Sequence, residues 1–71
     1  MTGASRDLSG PAVIVVDDHW TYVATEAWIH GGMVHAYCSR VIPLGMRSEL
    51  GDHCLRSWPT RRCSSIVWGQ P

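Results

Sequence analysis

Gly31-Gly32 is the feature that most restricts the fold of this 71-residue chain. It separates two runs rich in Trp, Tyr, Val, Thr and Ile, residues 20–30 and 33–42. Both central positions of a type I′ turn need a positive φ, which glycine adopts without steric cost. A Gly-Gly pair between two such runs therefore predicts a β-hairpin with a two-residue loop, in which His30 faces Met33.

Side chains alternate between the two faces of a strand, so this register divides the hairpin residues into two sets. The first set is aromatic and carries histidines: Trp20, Tyr22, Ala24, Glu26, Trp28, His30, Met33, His35 and Tyr37. The second set is more aliphatic: Thr21, Val23, Thr25, Ala27, Ile29, Val34, Ala36, Cys38 and Ile42. We predict that the second set faces the core. The first is then either a second buried face or an exposed surface for a protein partner, with Trp28, Tyr22 and Tyr37 as contact residues.

Two further strands and a long loop are predicted outside the hairpin. The β-branched run 12–16 indicates a mostly buried strand, and residues 64–68 indicate a closing strand. Residues 43–57 contain two glycines and scattered polar side chains, which indicates a long loop. Residues 1–11 show no periodic pattern, so we expect a flexible leader before a single domain over 12–71. The predicted fold is mainly β: a small antiparallel meander or an SH3-like, partly open barrel of about four strands, with the long loop between the last two.

A domain of this size needs a restraint beyond its hydrophobic core. The chain is 45% hydrophobic and has four tryptophans, which is too apolar for a disordered protein. A single core in so short a chain nevertheless supplies only about 3–5 kcal/mol of net stability. Its apolar runs are too short to span a membrane, and it lacks the pattern of a signal peptide, so we expect a soluble, cytoplasmic protein. In a reducing compartment, three cysteines favour thiols or metal ligands over disulfides.

A zinc site is the restraint that the cysteine and histidine positions indicate. Cys38, Cys54, Cys63 and His35 would give Zn²⁺ three thiolates and one imidazole, a closed structural set. His35 and Cys38 are three residues apart in a predicted strand, which places them on opposite faces unless the strand bulges or ends early. His53 is the alternative fourth ligand. Two other readings stay open: three buried thiols, or a disulfide between Cys54 and Cys63.

A basic segment near the C-terminus indicates a second kind of partner. Arg56, Arg61 and Arg62 flank Trp58, and arginine with an exposed indole suits single-stranded nucleic acid. Residues 38–71 carry five arginines against two carboxylates, yet the net charge of the chain is zero, so the strong basic field of typical nucleic-acid binders is missing. The simpler interpretation is a solvated turn in which Trp58 covers the edge of the core.

The sequence predicts binding rather than catalysis. It has neither a phosphate-binding glycine loop nor a nucleophile elbow, no small-molecule substrate is evident, and its two Asp-His pairs suit turns or caps. We therefore expect a non-enzymatic, zinc-stabilised interaction module that docks onto a protein or onto its own copy. The alternative is a nucleic-acid-binding protein acting through residues 56–62. A contiguous surface of Arg and Trp would favour nucleic acid, whereas an aromatic patch of Trp28, Tyr22 and Tyr37 would favour protein.

Overall fold

The computed structural model describes residues 9–41 and 53–69, which form five antiparallel strands. These are β1 (Ser9–Val16), β2 (Trp20–His30), β3 (Met33–Val41), β4 (Cys54–Pro59) and β5 (Cys63–Trp68). They make one sheet in the order β4-β3-β2-β1-β5, and a single 3-10 turn, Thr60–Arg62, joins β4 to β5. The predicted mainly β fold, a small meander or partly open barrel, is confirmed, with five strands instead of about four.

The connection between β4 and β5 requires a strongly curled sheet. In a flat sheet with strands about 4.8 Å apart, the two edge strands of five would be about 19 Å from each other. Three residues of 3-10 turn span only about 6 Å. The sheet therefore curls until its edges approach at this turn, where the thiol of Cys63 lies 3.9 Å from the carbonyl oxygen of Pro59. One face of the sheet becomes the inside, and the other becomes the outer surface.

Two tight turns depend on left-handed backbone conformations. Gly31 and Gly32 have φ values of 60° and 76°, and His30 pairs with Met33, so the predicted hairpin loop is confirmed. Between β1 and β2, Asp17 and Asp18 have φ values of 54° and 58°. Aspartate is among the few residues other than glycine that adopt this conformation readily, because its short side chain bonds to the local backbone.

A bulge at Thr25 corrects the predicted assignment of faces. The expected pairing holds from the turn as far as Glu26 opposite Tyr37, and then the register shifts so that Ala24 lies opposite Cys38. One extra residue in β2 reverses the face of every residue beyond it. The predicted faces of residues 20–25 are therefore wrong: Tyr22 and Ala24 face the core, and Thr25 is exposed.

Small side chains dominate the core inside the curled sheet. Its buried residues are Ala12, Ile14, Val16, Ala24, Ala27, Val34, Ala36, Cys38 and Trp58. Four partly buried residues pack against them: Tyr22, Cys63, Ile66 and Trp68. Because the fully buried side chains are no larger than isoleucine, the aromatic rings of β2, β4 and β5 are needed to fill the interior.

Strand boundaries differ from prediction at both ends of the sequence. β1 begins at Ser9, three residues before the expected domain boundary, and β5 begins at Cys63. The predicted loop over 43–57 ends in strand β4, which has the weak strand signal of a short edge element containing arginine and proline. The rest of that loop, Ile42 and residues 1–8 of the predicted leader lie outside the described residues.

Candidate functional site

The outer surface of strands β2, β3 and β4 carries a compact group of side chains in three cross-strand rows. The strand register places them as follows: His30, Met33 and Pro59; Trp28, His35 and Ser57; Glu26, Tyr37 and Leu55. We call these nine residues the outer patch. Glu26 is its one carboxylate, and Trp28, Tyr37 and Leu55 are 36%, 47% and 61% exposed. The outer patch is therefore a weakly charged surface that combines five apolar or aromatic side chains with four polar ones.

The middle row of the outer patch has a defined geometry. The rings of Trp28 and His35 stack, with centroids 5.4 Å apart and an angle of 24° between their planes. His35 Nδ1 and Ser57 Oγ are hydrogen-bonded at 2.8 Å. These contacts connect all three strands and restrict the orientation of the indole. A fixed aromatic ring loses little side-chain entropy on binding.

The third row extends toward the start of β4. The ring of Tyr37 lies 5.5 Å from that of His53, centroid to centroid. Thr25 donates a long hydrogen bond of 3.5 Å to the carbonyl oxygen of Tyr37. Within residues 9–41 and 53–69, His53 Nε2 is buried without a hydrogen-bond partner. The imidazole of His53 thus belongs with the edge of the outer patch.

The inner face carries a second arrangement, in which two arginines each lie near an aromatic ring. The guanidinium carbon of Arg40 lies 4.4 Å from the ring centroid of Trp20, and that of Arg56 lies 5.2 Å from the ring centroid of Tyr22. The rings of Tyr22 and Trp58 are 4.8 Å apart. We call these five residues the arginine–aromatic row. It begins at the exposed Trp20 and ends at the buried Trp58.

Neither of the two predicted binding surfaces forms a single surface in the folded sheet. Trp28 and Tyr37 lie together on the outer surface, but Tyr22 belongs to the inner face because of the bulge. The sequence did not indicate the bulge, because the alternation of residue types along β2 shows no visible break at Thr25. The signal available was the row of small residues that Ala24 makes with its strand partners, Ala12 and Cys38.

The basic segment 56–62 does not form a contiguous surface either. Arg56 belongs to the arginine–aromatic row, Trp58 is buried in the core, and Arg61 is exposed on the 3-10 turn. Arg62 is engaged with Asp17, to which it donates two hydrogen bonds of 3.1 and 2.6 Å. Arg40 also lies near an aromatic ring, that of Trp20, and the sequence analysis did not name it as a candidate.

The pair of Asp17 and Arg62 joins the β1–β2 turn to the 3-10 turn. The backbone N–H of Asp17 also donates to the carbonyl oxygen of Arg62 at 2.8 Å. The guanidinium hydrogen bonds hold the pKa of Asp17 below its ordinary value, and the carboxylate raises the pKa of Arg62. Both side chains are about half exposed, so this is a surface contact that positions two turns rather than a buried charge pair.

The predicted zinc ligands do not converge among the described residues. Cys38 and Cys54 lie opposite each other on the inner face, but His35 is on the outer surface with its Nδ1 bonded to Ser57. Cys63 lies near Pro59, at the other end of β4, about 16 Å along the strand from Cys54.

Residues 9–41 and 53–69 contain no group of three or more His, Cys, Asp or Glu side chains suited to a metal ion. His53, the alternative fourth ligand, directly precedes Cys54, and its ring packs beside Tyr37. Because Tyr37 lies on the outer surface, this contact places the imidazole of His53 at the edge of the outer patch. Of the predicted ligands, Cys38 and Cys54 are strand neighbours, but the described residues do not bring four ligands together. Zinc binding therefore stays a prediction.

Comparison of the chain with protein-family models, curated proteins and solved structures found no match. Within the described part of the chain, no helix has the length and apolar character needed to cross a membrane. The candidate functional features of the described residues are the outer patch, the arginine–aromatic row and the thiols.

Proposed function

We propose that this chain is a non-enzymatic interaction module that docks a protein partner on the outer patch. The observation that carries the proposal is the set of nine side chains on the outer surface of β2, β3 and β4, six of them exposed and three partly exposed, with one carboxylate among them. The centres of protein interfaces are rich in Trp, Tyr and Met and poor in charged residues. The outer patch contains one residue of each of these three types, Trp28, Tyr37 and Met33, and Glu26 is its one carboxylate.

The contacts of Trp28 also support this residue as a hot spot of the proposed interface. Trp28 is held by its stack on His35, which is itself bonded to Ser57. Trp and Tyr are the residues whose truncation costs most in protein interfaces. We therefore assign Trp28 as the main anchor and Tyr37 as a second contact.

The dimensions of the outer patch indicate a weak, transient complex. Three strands and three rows of side chains cover a grid of about 10 by 13 Å between Cβ atoms. Even with the width of the side chains added, this grid of about 130 Å² covers less than the roughly 800 Å² that each partner buries in a standard stable interface. The partner is expected to present an apolar, weakly charged surface, which a second copy of the chain also offers.

Two measurements test this function. Sedimentation velocity over a range of micromolar concentrations detects self-association. Partners enriched with the tagged chain are then purified and titrated by calorimetry against the wild type, Trp28→Ala and Tyr37→Ala. Val67→Ala is the matched control, because Val67 is 63% exposed but lies on β5, away from the outer patch.

Loss of an interface anchor costs about 2 kcal/mol or more, so Trp28→Ala is expected to raise the Kd of the partner about 30-fold. Val67→Ala is expected to leave the Kd unchanged. An unchanged Kd for Trp28→Ala and Tyr37→Ala would refute the assignment of the outer patch. Absence of both self-association and a specific partner would refute the docking function itself.

The arginine–aromatic row favours a second candidate function, binding of single-stranded nucleic acid. Trp20 is 41% exposed beside the guanidinium of Arg40, and an indole next to a cation combines base stacking with phosphate attraction. Two arginines contacting phosphates give a slope of about −1.4 for the logarithm of the binding constant against the logarithm of the salt concentration.

Fluorescence anisotropy with a labelled single-stranded oligonucleotide at low salt tests this candidate. Arg40→Ala is expected to reduce the salt slope by about 0.7, and Trp20→Ala to cost about 1–3 kcal/mol of binding free energy. Arg61→Ala is the control, since Arg61 is exposed but outside the row. If Arg61→Ala weakens binding and Arg40→Ala does not, the basic turn and not the row is the contact surface. Absence of binding at low salt would eliminate the candidate.

A further inference from the structure

Cys38 and Cys54 lie directly opposite each other on neighbouring antiparallel strands, β3 and β4. Directly opposite residues in such strands have Cα atoms about 4.5 or 5.5 Å apart, depending on the hydrogen-bond pattern. Disulfides join residues whose Cα atoms are about 4.4–6.8 Å apart. Hydrogen-bonded and non-hydrogen-bonded pairs both have Cα distances within this range. Cys38 and Cys54 are both free thiols in this structure. The sheet therefore holds two thiols at bridging distance.

The two thiols have different environments. Cys54 is exposed, whereas the side chain of Cys38 is fully buried. Burial raises the pKa of Cys38 to about 11, although the guanidinium of Arg56 acts in the opposite direction. A small reagent in solution thus reaches Cys54, and Cys38 is accessible mainly to the sulfur next to it.

Cys63 is separated from this pair. It lies beside Pro59, about 16 Å along β4 from Cys54, and its thiol approaches the carbonyl oxygen of Pro59. Residues with Cα atoms more than about 7 Å apart do not form a disulfide without backbone movement. The bridge between Cys54 and Cys63 that the sequence left open is therefore incompatible with this fold, and Cys63 serves as an internal control.

We infer that Cys38 and Cys54 form a redox modification site, at which a low-molecular-weight disulfide such as oxidised glutathione converts the two thiols into a cross-strand disulfide. The thiolate of Cys54 attacks one sulfur of the reagent, whose S–S bond breaks and releases one thiolate. Cys38 then loses its proton and attacks the Cys54 sulfur of the mixed disulfide, which releases the second thiolate. Two protein thiols lose two electrons, and the reagent is reduced to two thiols after both leaving groups are protonated.

The product would tie the edge strand β4 covalently to β3. It would also close the segment 39–53, which contains the chain between these two strands. A small domain needs a restraint beyond its core, and this bond supplies one with two of the residues that the sequence assigned to zinc. The site does not depend on either proposed binding function, since neither Cys38 nor Cys54 belongs to the outer patch or to the arginine–aromatic row.

Peptide mapping of the intact chain tests the site directly. The folded protein is equilibrated in buffers of reduced and oxidised glutathione, remaining thiols are blocked with N-ethylmaleimide, and the protein is digested with trypsin without reduction. Cleavage after arginine separates the three cysteines into peptides 7–40, 48–56 and 63–71. The expected product joins 7–40 to 48–56, with Cys63 recovered as a blocked thiol.

Three cysteine variants distinguish the first thiol–disulfide exchange, at Cys54, from the second, at Cys38. In Cys38→Ala the mixed disulfide on Cys54 has no neighbouring thiol, so it is expected to accumulate at least about tenfold above the wild-type level. Cys54→Ala is expected to leave Cys38 unmodified in the folded protein, and Cys63→Ala is expected to retain the bridge. Circular dichroism verifies that each variant is folded. The inference is overturned by a peptide linked through Cys63, or by a mixed disulfide on Cys54 that the wild type does not resolve.

Discussion

Ala24→Asp and Thr25→Asp together test the bulge that sets the faces of β2. The structure buries Ala24, at 3% exposure, between its strand partners Ala12 and Cys38, and leaves Thr25 exposed. The regular register predicted from the sequence places Thr25 toward the core and Ala24 on the opposite face. The same new side chain at two adjacent positions therefore has opposite consequences under the two registers.

The magnitude follows from the cost of burying a carboxylate. Full burial raises the pKa of an aspartate by about 3–5 units, and each unit corresponds to about 1.36 kcal/mol. At pH 7 the cost is limited to the interval of about 3 units between the unfolded pKa of about 3.9 and the solution pH, so Ala24→Asp should cost about 4 kcal/mol, as much as the roughly 3–5 kcal/mol expected for the whole domain. Thr25→Asp loses one long hydrogen bond to Tyr37 and should cost about 0.5 kcal/mol.

Urea denaturation followed by circular dichroism measures both variants between pH 5 and pH 7. The folded-state pKa of the new aspartate at position 24 is raised, so its destabilisation is full above that pKa and shrinks as the pH falls toward the unfolded value. Lowering the pH from 7 to 5 should return about 2.7 kcal/mol to Ala24→Asp and leave Thr25→Asp unchanged. Greater destabilisation by Thr25→Asp than by Ala24→Asp would refute the bulged register.

Three further predictions concern the core, the turns and the thiols. Ile14→Val should cost about 1 kcal/mol in urea unfolding, because Ile14 is fully buried; no measurable cost would place it outside the core. Because Arg62 lowers the pKa of Asp17, their contribution is present above the ordinary value of 3.8 and lost as the pH falls through the lowered pKa. Arg62→Ala should flatten the stability profile in that acidic range, and an unchanged profile would contradict the pairing. Oxidation of Cys38 and Cys54 should add about 3 kcal/mol to the unfolding free energy, and no gain would indicate a strained bond.

The sequence predicts the hairpin well because its signals are local. Glycine at both turn positions specifies the loop, and the loop specifies the pairing of the residues next to it. That pairing correctly places Trp28 opposite His35, which is the centre of the outer patch. It also correctly places His35 and Cys38 on opposite faces of β3.

The sequence predicts less where the determining contact is distant. The bulge at Thr25 is accommodated by two neighbouring strands, since the pairing of β1 with β2 is also irregular near Gly10. Strand β4 is weakly marked in its own residues and is formed by pairing with β3. The zinc prediction assumed that spacing along the chain brings four ligands together, but His35 lies on the outer surface and Cys63 lies near Pro59, at the other end of β4 from Cys54.

The position of β5 beside β1 has a consequence for the order in which the chain folds. Strand β1 pairs on one side with β2, which follows it directly, and on the other with β5, which arrives roughly 50 residues later. At about 5–20 residues per second, synthesis leaves that side of β1 without its partner for roughly 3–10 s. Contacts so distant in sequence also slow folding, toward the millisecond-to-second times of small barrels. A nascent chain thus exposes an apolar strand edge, and conditions that delay the arrival of β5 should increase aggregation more than they reduce equilibrium stability.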